Sequence, residues 1–489
     1  MKTKLTAAYV IGYEGNDHVI YHNGELVYQD DRIEFVGHHY PHAVDQTIDV
    51  GLAIISPGFI DLDALADIDH GILDTWVSPE ISLGLQWSSD YFRNRRHDLF
   101  SREEEAFKHR YALSQLALNG VTTFMPIAGE QYKAWCETYD EFADVVDIVA
   151  ELGLRAYLGL SYRSGVNVVH QDGRRDVLWN EAEGERGLRD AIRFVKTFDG
   201  AAEGRVTGCL LPARIETVTL ELLRQTKAAA EELDCLIRLH CLQGEVEGRF
   251  LQQWYGKTAI QLLQELDLLN PKVLIPHAIY LNKERPDPQS LSELEILAKS
   301  GTSVIHCPLV FARSGKALHS FRRYQKAGIN LAMGSDTFPP DMIRVMETGL
   351  MAGNLAEGRQ DAHQAADMFR AATLGGAKAL GRDDLGRLAA GAKADIVVID
   401  LSDYRLGPID DPIRTLVMMG NGRNIRDVIV DGRTIVKDGQ IPGLDMAEMR
   451  QQAQAYFEKM RSAYPQRDYQ GRSQETLFPP SFYLNREKR

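Results

Sequence analysis

Leu236-Ile237-Arg238-Leu239-His240, Val273-Leu274-Ile275-Pro276-His277, Ser303-Val304-Ile305-His306 and Ile329-Asn330-Leu331-Ala332-Met333-Gly334-Ser335-Asp336 are four apolar runs, each closing on an imidazole or a carboxylate. Four runs of the same texture precede them: Ala53 to Ile60, Val121 to Met125, Arg155 to Leu160 and Gly208 to Leu211. Amphipathic stretches such as Thr217 to Leu233 and Ser290 to Lys299 lie between the runs. Near-continuous apolar strands alternating with helices imply a parallel sheet with both faces covered. Eight such units between residues 53 and 336 predict α/β architecture with a closed (β/α)8 TIM-type barrel rather than an open sheet.

Outside this middle the texture changes. Residues 1–56 carry short alternating segments (Ala7 to Ile11, His18 to Tyr21, Gly24 to Tyr28, Arg32 to Gly37) broken by Asn, Gly and Asp, which reads as hairpins. A matching set returns at Ala394 to Asp400 and Ile425 to Val436, with Asp431-Gly432 as a strong hairpin turn. The expected organisation is a composite β-sandwich from residues 1–56 and 381–444, a barrel over 57–380, and a C-terminal arm and tail over 445–489. The arm begins as a helix from Met446 to Arg461 and is expected to lie on the barrel or on a neighbouring subunit.

Composition narrows the function. Among 489 residues, 69 acidic side chains face 55 basic ones for a net charge of −14, which argues against a nucleic-acid partner. Five dispersed cysteines without a CxxC pair fit reduced thiols rather than a disulfide framework. The N-terminal apolar run is too short for a secretory signal, and no apolar stretch is long enough to span a membrane. A cytoplasmic protein acting on a small molecule is the expectation.

The polar strand ends carry the chemistry. In such a barrel the strand C-termini ring the active site, and here Asp61 and Asp63, His240, His277, His306 and Asp336 close five of the eight strands. Neutral imidazoles with carboxylates suit zinc or iron. In order and spacing the chain resembles the amidohydrolase superfamily, in the cytosine-deaminase-like branch with triazine chlorohydrolases and guanine or S-adenosylhomocysteine deaminases. The resemblance rests on Ser56-Pro57-Gly58-Phe59-Ile60-Asp61, Gly120-Val121-Thr122-Thr123, Leu239-His240, Pro276-His277, His306-Cys307-Pro308, Gly334-Ser335-Asp336-Thr337 and the stretch from Leu385 to Asp400. It implies that His240 is the strand-five metal ligand, that Asp336 both binds metal and takes a proton from the attacking water, and that His277 contacts that water or the substrate. It also implies a homodimer or higher homo-oligomer.

Three departures qualify the resemblance. Where the family has His-x-His on strand one, this chain has Asp63 and Leu65. Alternate residues on a strand share a face, so both point inward, but only Asp63 offers a ligand atom. The surviving set of Asp63, His240, His277 and Asp336 suits one divalent ion, zinc first, with iron or manganese as alternatives. His70 is a candidate replacement ligand or a plain loop residue. The shuttle glutamate three residues after the strand-five histidine is Gln243, which can hydrogen-bond but not carry a proton; Glu245 either substitutes or caps a helix. The segment after His306-Cys307 is apolar, Pro308-Leu309-Val310-Phe311, which suggests a greasier pocket wall. Strand four ends near Arg214 rather than a lysine, against a carbamylated binuclear site; Arg214 pairs either with a substrate anion or with a structural carboxylate.

The expected function is hydrolysis of a C–N bond in an amide, urea or amino-heterocycle by water activated at a remodelled mononuclear site. Asp336, His277 and Gln243 form the catalytic set, and Arg214, His306 and Phe338 contact the substrate. The alternatives are metal-free acid–base catalysis by Asp63, His277 or Asp336, or a binding protein that has lost its chemistry.

Overall fold

The computed structural model describes the chain except residues 69–77, 128–132, 134, 136, 282–290, 319–320 and 484–489. Its centre is a parallel barrel whose strands follow one another in chain order: Phe59–Leu65, Val121–Ile127, Arg155–Leu158, Val206–Pro212, Leu236–Arg238, Val273–Pro276, Ser303–His306 and Leu331–Met333. Seven coincide with apolar runs of the sequence, and the first starts only at the end of the run Ala53 to Ile60. The ring closes where the Asp336 N–H donates to the Asp63 carbonyl at 2.9 Å and the Ser335 N–H donates to the buried Asp61 carboxylate at 3.0 Å. The helices between strands start where side chains can cap them: Thr219 caps Leu220–Leu233, and Ser292 caps Glu293–Ser300 with a reciprocal bond to Glu295.

The run Ala53 to Ile60 is not one strand but two. Ala53–Pro57 belongs to a second sheet, and Phe59–Leu65 to the barrel. The chain changes sheets at Gly58, where a Cβ would sit 2.0 Å from Thr122 Oγ1. Glycine alone permits that approach.

The second sheet draws on both ends of the chain, as a continuous path from Arg433–Val436 through Ile425–Val430, Ile396–Asp400, Ala53–Pro57, Lys2–Glu14 and Asp17–Gln29 to Arg32–Gly37. Gln46–Asp49 pairs alongside Lys2–Glu14. Leu5, Val10, Leu26, Ile55, Ile396 and Ile429 share a core separate from the barrel's. Asp431 and Gly432 turn the last hairpin with φ of 47° and 74°, the left-handed pair that a two-residue turn requires. The sheet is joined to the barrel by Arg155, fully buried on the third barrel strand, which reaches Asp395 at 3.1 Å and Asp431 at 2.6 Å.

The C-terminal helix runs to Arg467, a turn and a half beyond the sequence expectation. It packs against this chain itself: Met460 and Tyr464 share a cluster with Leu85, Phe100, Leu477 and Phe478. Arg467 lays its guanidinium 3.7 Å from the centre of the Trp87 ring.

Candidate active site

Strand alternation decides which polar residues enter the barrel. On the fifth strand Ile237, Leu239 and Cys241 join the outer core under the helices, so Arg238 and His240 face inward. On the seventh strand Ile305 and Cys307 line the barrel, which turns His306 outward. The sixth strand would send His277 outward by the same rule, since Val273 and Ile275 are outer residues. Instead His277 and Ala278 take φ of 72° and 47°. That left-handed step is uncommon for non-glycine residues and recurs at functional sites, and here it ends the alternation and brings the imidazole over the pocket.

Asp63 stands at the centre and is fully buried. Its Oδ1 lies 3.3 Å from His240 Nε2 and 3.3 Å from Arg238 Nη1. Its Oδ2 lies 3.8 Å from His277 Nε2 and 3.5 Å from Cys307 Sγ. His277 Nε2 is also 3.8 Å from Asp336 Oδ2. The ligand atoms of Asp63, His277, Cys307 and Asp336 fall within 4.8 Å of one another. Gly334 leaves the space for this convergence: a Cβ there would meet the Asp63 Cβ at 2.5 Å and Cys307 Sγ at 3.1 Å.

Electrostatics prepare the set for a cation. Burial would raise the Asp63 carboxyl, but the His240 ring and the Arg238 guanidinium outweigh it and hold the group below the usual carboxylate range. Burial keeps the His277 imidazole neutral. Among the described residues neither of its ring nitrogens has a hydrogen-bond partner, a debt of about 1–3 kcal/mol per buried polar group. His240 Nδ1 faces the Ala213 carbonyl at 3.0 Å and therefore carries a hydrogen, which leaves Nε2, 3.3 Å from Asp63 Oδ1, as the nitrogen on the pocket side. Among the described residues, a buried carboxylate whose Oδ1 has no hydrogen bond stands beside an imidazole with neither ring nitrogen hydrogen-bonded, an arrangement that a bound divalent ion satisfies. The donors therefore fit a metal: two carboxylates and two imidazoles, with the Cys307 thiol alongside. Burial, then Asp63 and Asp336, keeps that thiol protonated.

The other expected site residues are placed as follows. Arg214 donates to the Gln243 side-chain carbonyl, so these two hold each other at the mouth. Glu245 is exposed on the first turn of Glu245–Tyr255. The buried acid is instead Glu247, which accepts from the Leu242 and Gln243 N–H groups at 2.7 and 3.1 Å and is pushed up to about 8 by burial and by Glu216. His306 is a correction to the substrate-facing set: its ring packs against Phe321 at 5.3 Å under the helices, and burial lowers it to about 3. Phe338 stacks on Tyr111 of Arg102–Leu118 at 5.9 Å rather than over the histidines. The aromatic ring on His277 is Phe311, edge-on at 4.9 Å, from the apolar segment expected to grease the wall. His70 lies outside the described residues. Arg238 and Cys307 were not singled out from the sequence. Arg238 was within reach there, because it lies two residues before His240 and shares its face.

Comparison with known proteins agrees with this architecture. Residues 54–435 match the amidohydrolase family. A 5-methylthioadenosine/S-adenosylhomocysteine deaminase of Halobacterium salinarum is 27% identical over 442 residues, covering 88% of this chain and 92% of that protein. A 5'-deoxyadenosine deaminase of Methanosarcina mazei is 25% identical, covering 89% and 93%. Among solved structures, an adenosine deaminase from Xanthomonas campestris with bound zinc superposes with a TM-score of 0.75 at 18% identity, covering 94% of this chain and 98% of that one. An atrazine chlorohydrolase from Arthrobacter aurescens complexed with zinc gives 0.75 at 19% identity, covering 93% and 100%. At these identities the solved structures speak for the fold.

Proposed function

Since the chain belongs to the amidohydrolase family, we propose that it hydrolyses a C–N bond of a small molecule, with one divalent ion held by Asp63, His240, His277 and Asp336. The observation that carries the reading is the convergence of Asp63, His277 and Asp336 within 4.8 Å in a buried pocket at the strand C-termini. Zinc suits the donor set best, with iron or manganese as alternatives, and the zinc-bound structural relatives support a metal. When bound, the ion supplies a Lewis acid that polarises the substrate and lowers the pKa of water.

The side chains divide the remaining work. Asp336 Oδ2, facing His277 Nε2, receives a proton from the attacking water as its oxygen bonds to carbon. The same carboxyl returns that proton to the nitrogen when the C–N bond breaks. The neutral His277 ring orients the substrate carbonyl or the water. Gln243, fixed by Arg214, hydrogen-bonds the substrate but transfers no proton, which favours amides and ureas over amino-heterocycles, whose ring nitrogen needs a proton. The deaminase relatives keep the amino-heterocycle as the second substrate class to screen. Phe311 supplies an apolar wall against the histidine.

Elemental analysis of protein purified without chelator or added metal, beside Asp336→Asn, tests this. About one equivalent of metal per chain, lost in the variant, is expected. Substoichiometric metal indifferent to Asp336, even after reconstitution with excess ion, overturns it. Metal-free acid–base catalysis would then be favoured by one specific observation, the ion pair between Arg238 and Asp63.

A further inference from the structure

The proposed hydrolysis makes no use of Arg238, yet this side chain occupies the floor of the pocket. It is 2% exposed and among the largest fully buried side chains. Its Nη1 lies 3.3 Å from Asp63 Oδ1 and donates to the backbone carbonyls of Leu62 at 3.2 Å and Met125 at 3.3 Å. Those carbonyls belong to the first and second barrel strands, and the guanidinium meets Asp63 at Oδ1, whereas His277 faces Oδ2. A guanidinium keeps its proton at any pH a protein survives, which makes this charge permanent.

A charge count gives that placement a meaning. An imidazole that ligates a metal is neutral, so the proposed ligand set draws its charge from Asp63 and Asp336, two negative charges. A strand-one imidazole in place of Asp63 would leave one. The Arg238 guanidinium, paired with Asp63, offsets one of the two. We propose that Arg238 is the counter-charge to Asp63, pinning the carboxylate when no ion is bound and holding down the affinity of the pocket for a divalent cation. The ion then binds less tightly than it would without the guanidinium. The inference rests on the metal-hydrolase reading for its functional meaning, but the charge pair is a property of these two residues.

The test is metal affinity. Chelator-stripped protein is titrated with Zn²⁺, and separately Mn²⁺, against a competing indicator, for wild type and for Arg238→Gln, Arg238→Met and Arg238→Lys. Removing a like charge about 5 Å from the ion strengthens binding by at least about tenfold, even at a high effective dielectric. Both neutral variants are therefore expected to bind at least about tenfold more tightly, and the lysine variant within about threefold of wild type. Neutral variants that bind no more tightly than wild type overturn the proposal, because a merely structural arginine would alter stability without tightening the ion.

The two readings separate cleanly. One equivalent of metal in wild type with unchanged affinity in Arg238→Gln refutes the counter-charge and keeps the hydrolase. Binding only in the neutral variants keeps the counter-charge and refutes the metal hydrolase, and binding in none refutes both. If the neutral variants do not fold, Asp63→His decides. It adds an imidazole ligand but leaves Arg238 unmatched, so it is expected to bind the ion more weakly than wild type; tighter binding overturns the proposal.

Discussion

Raising the pH from 6 to 9.5 should cost this protein stability through a single histidine. His109, on the helix Arg102–Leu118, is buried, with Nδ1 on the Ala66 carbonyl at 2.5 Å and Nε2 on Glu141 at 3.0 Å. Lys108 reaches Asp67 at 3.0 Å and Glu105 at 2.8 Å, and Lys133 reaches Glu105 at 3.0 Å and Glu141 at 2.8 Å. With His109 protonated, three cations balance three carboxylates. Burial alone would lower the imidazole, but the Glu141 hydrogen bond and the charges of Asp67 and Glu141 outweigh it and raise the group to about 9. The unfolded chain has about 6.5. A group raised on folding contributes fully below the unfolded pKa, and that contribution is lost as the pH climbs through the folded pKa. The difference amounts to about 3 kcal/mol, at 1.36 kcal/mol per unit. Urea unfolding of wild type and His109→Gln at both pH values isolates it, because other titrations are common to the two. The stability gap is expected to shrink by about 3 kcal/mol between pH 6 and 9.5. A gap that stays constant, or widens as the pH rises, refutes the protonated network. The network matters to the site because it fastens Ala66 and Asp67, just beyond Asp63, to the helix layer.

Gly334→Ala should fold yet bind metal at least about tenfold more weakly, since the new Cβ would displace Asp63 in a core that relaxes only partly; a metal titration beside circular dichroism checks it. Gln243→Glu should add no new group to the pH–rate profile near neutrality, because Arg214 donates to that position and would hold the carboxylate ionised; a new basic limb would show that a proton shuttle can be restored by one substitution. Arg467→Met should release the C-terminal helix from Trp87 and lose about 2 kcal/mol of desolvated cation–π contact. Faster limited proteolysis of the tail, with activity retained, is the expected result.

Much of the barrel was legible because its signal is local. Each buried parallel strand must be apolar along its whole length, so eight short runs stood out, and Asp431-Gly432 announced its hairpin through backbone sterics alone. The strand-end positions of Asp63, His240, His277 and Asp336 were legible from the order and spacing of the motifs, although position alone did not separate them from His306, which packs under the helices. The division at Gly58 was hidden, because the apolar run passes through it unbroken and only the approach of Thr122 shows where one sheet ends.

Facing and long-range pairing belonged to the tertiary structure. His306 and Cys307 are adjacent, and the sequence does not say which of the two looks into the barrel; the register of the seventh strand turns the thiol inward and the imidazole out. His277 enters the pocket only through a left-handed backbone step that the surrounding fold must sustain. Arg238 could be assigned to the face of His240 from spacing alone, but its partner Asp63 lies on a strand brought beside it only when the barrel closes. Residue type and periodicity are properties of neighbours in the chain, whereas the charge a pocket presents is a sum over strands distant in sequence, and closure alone brings those strands together.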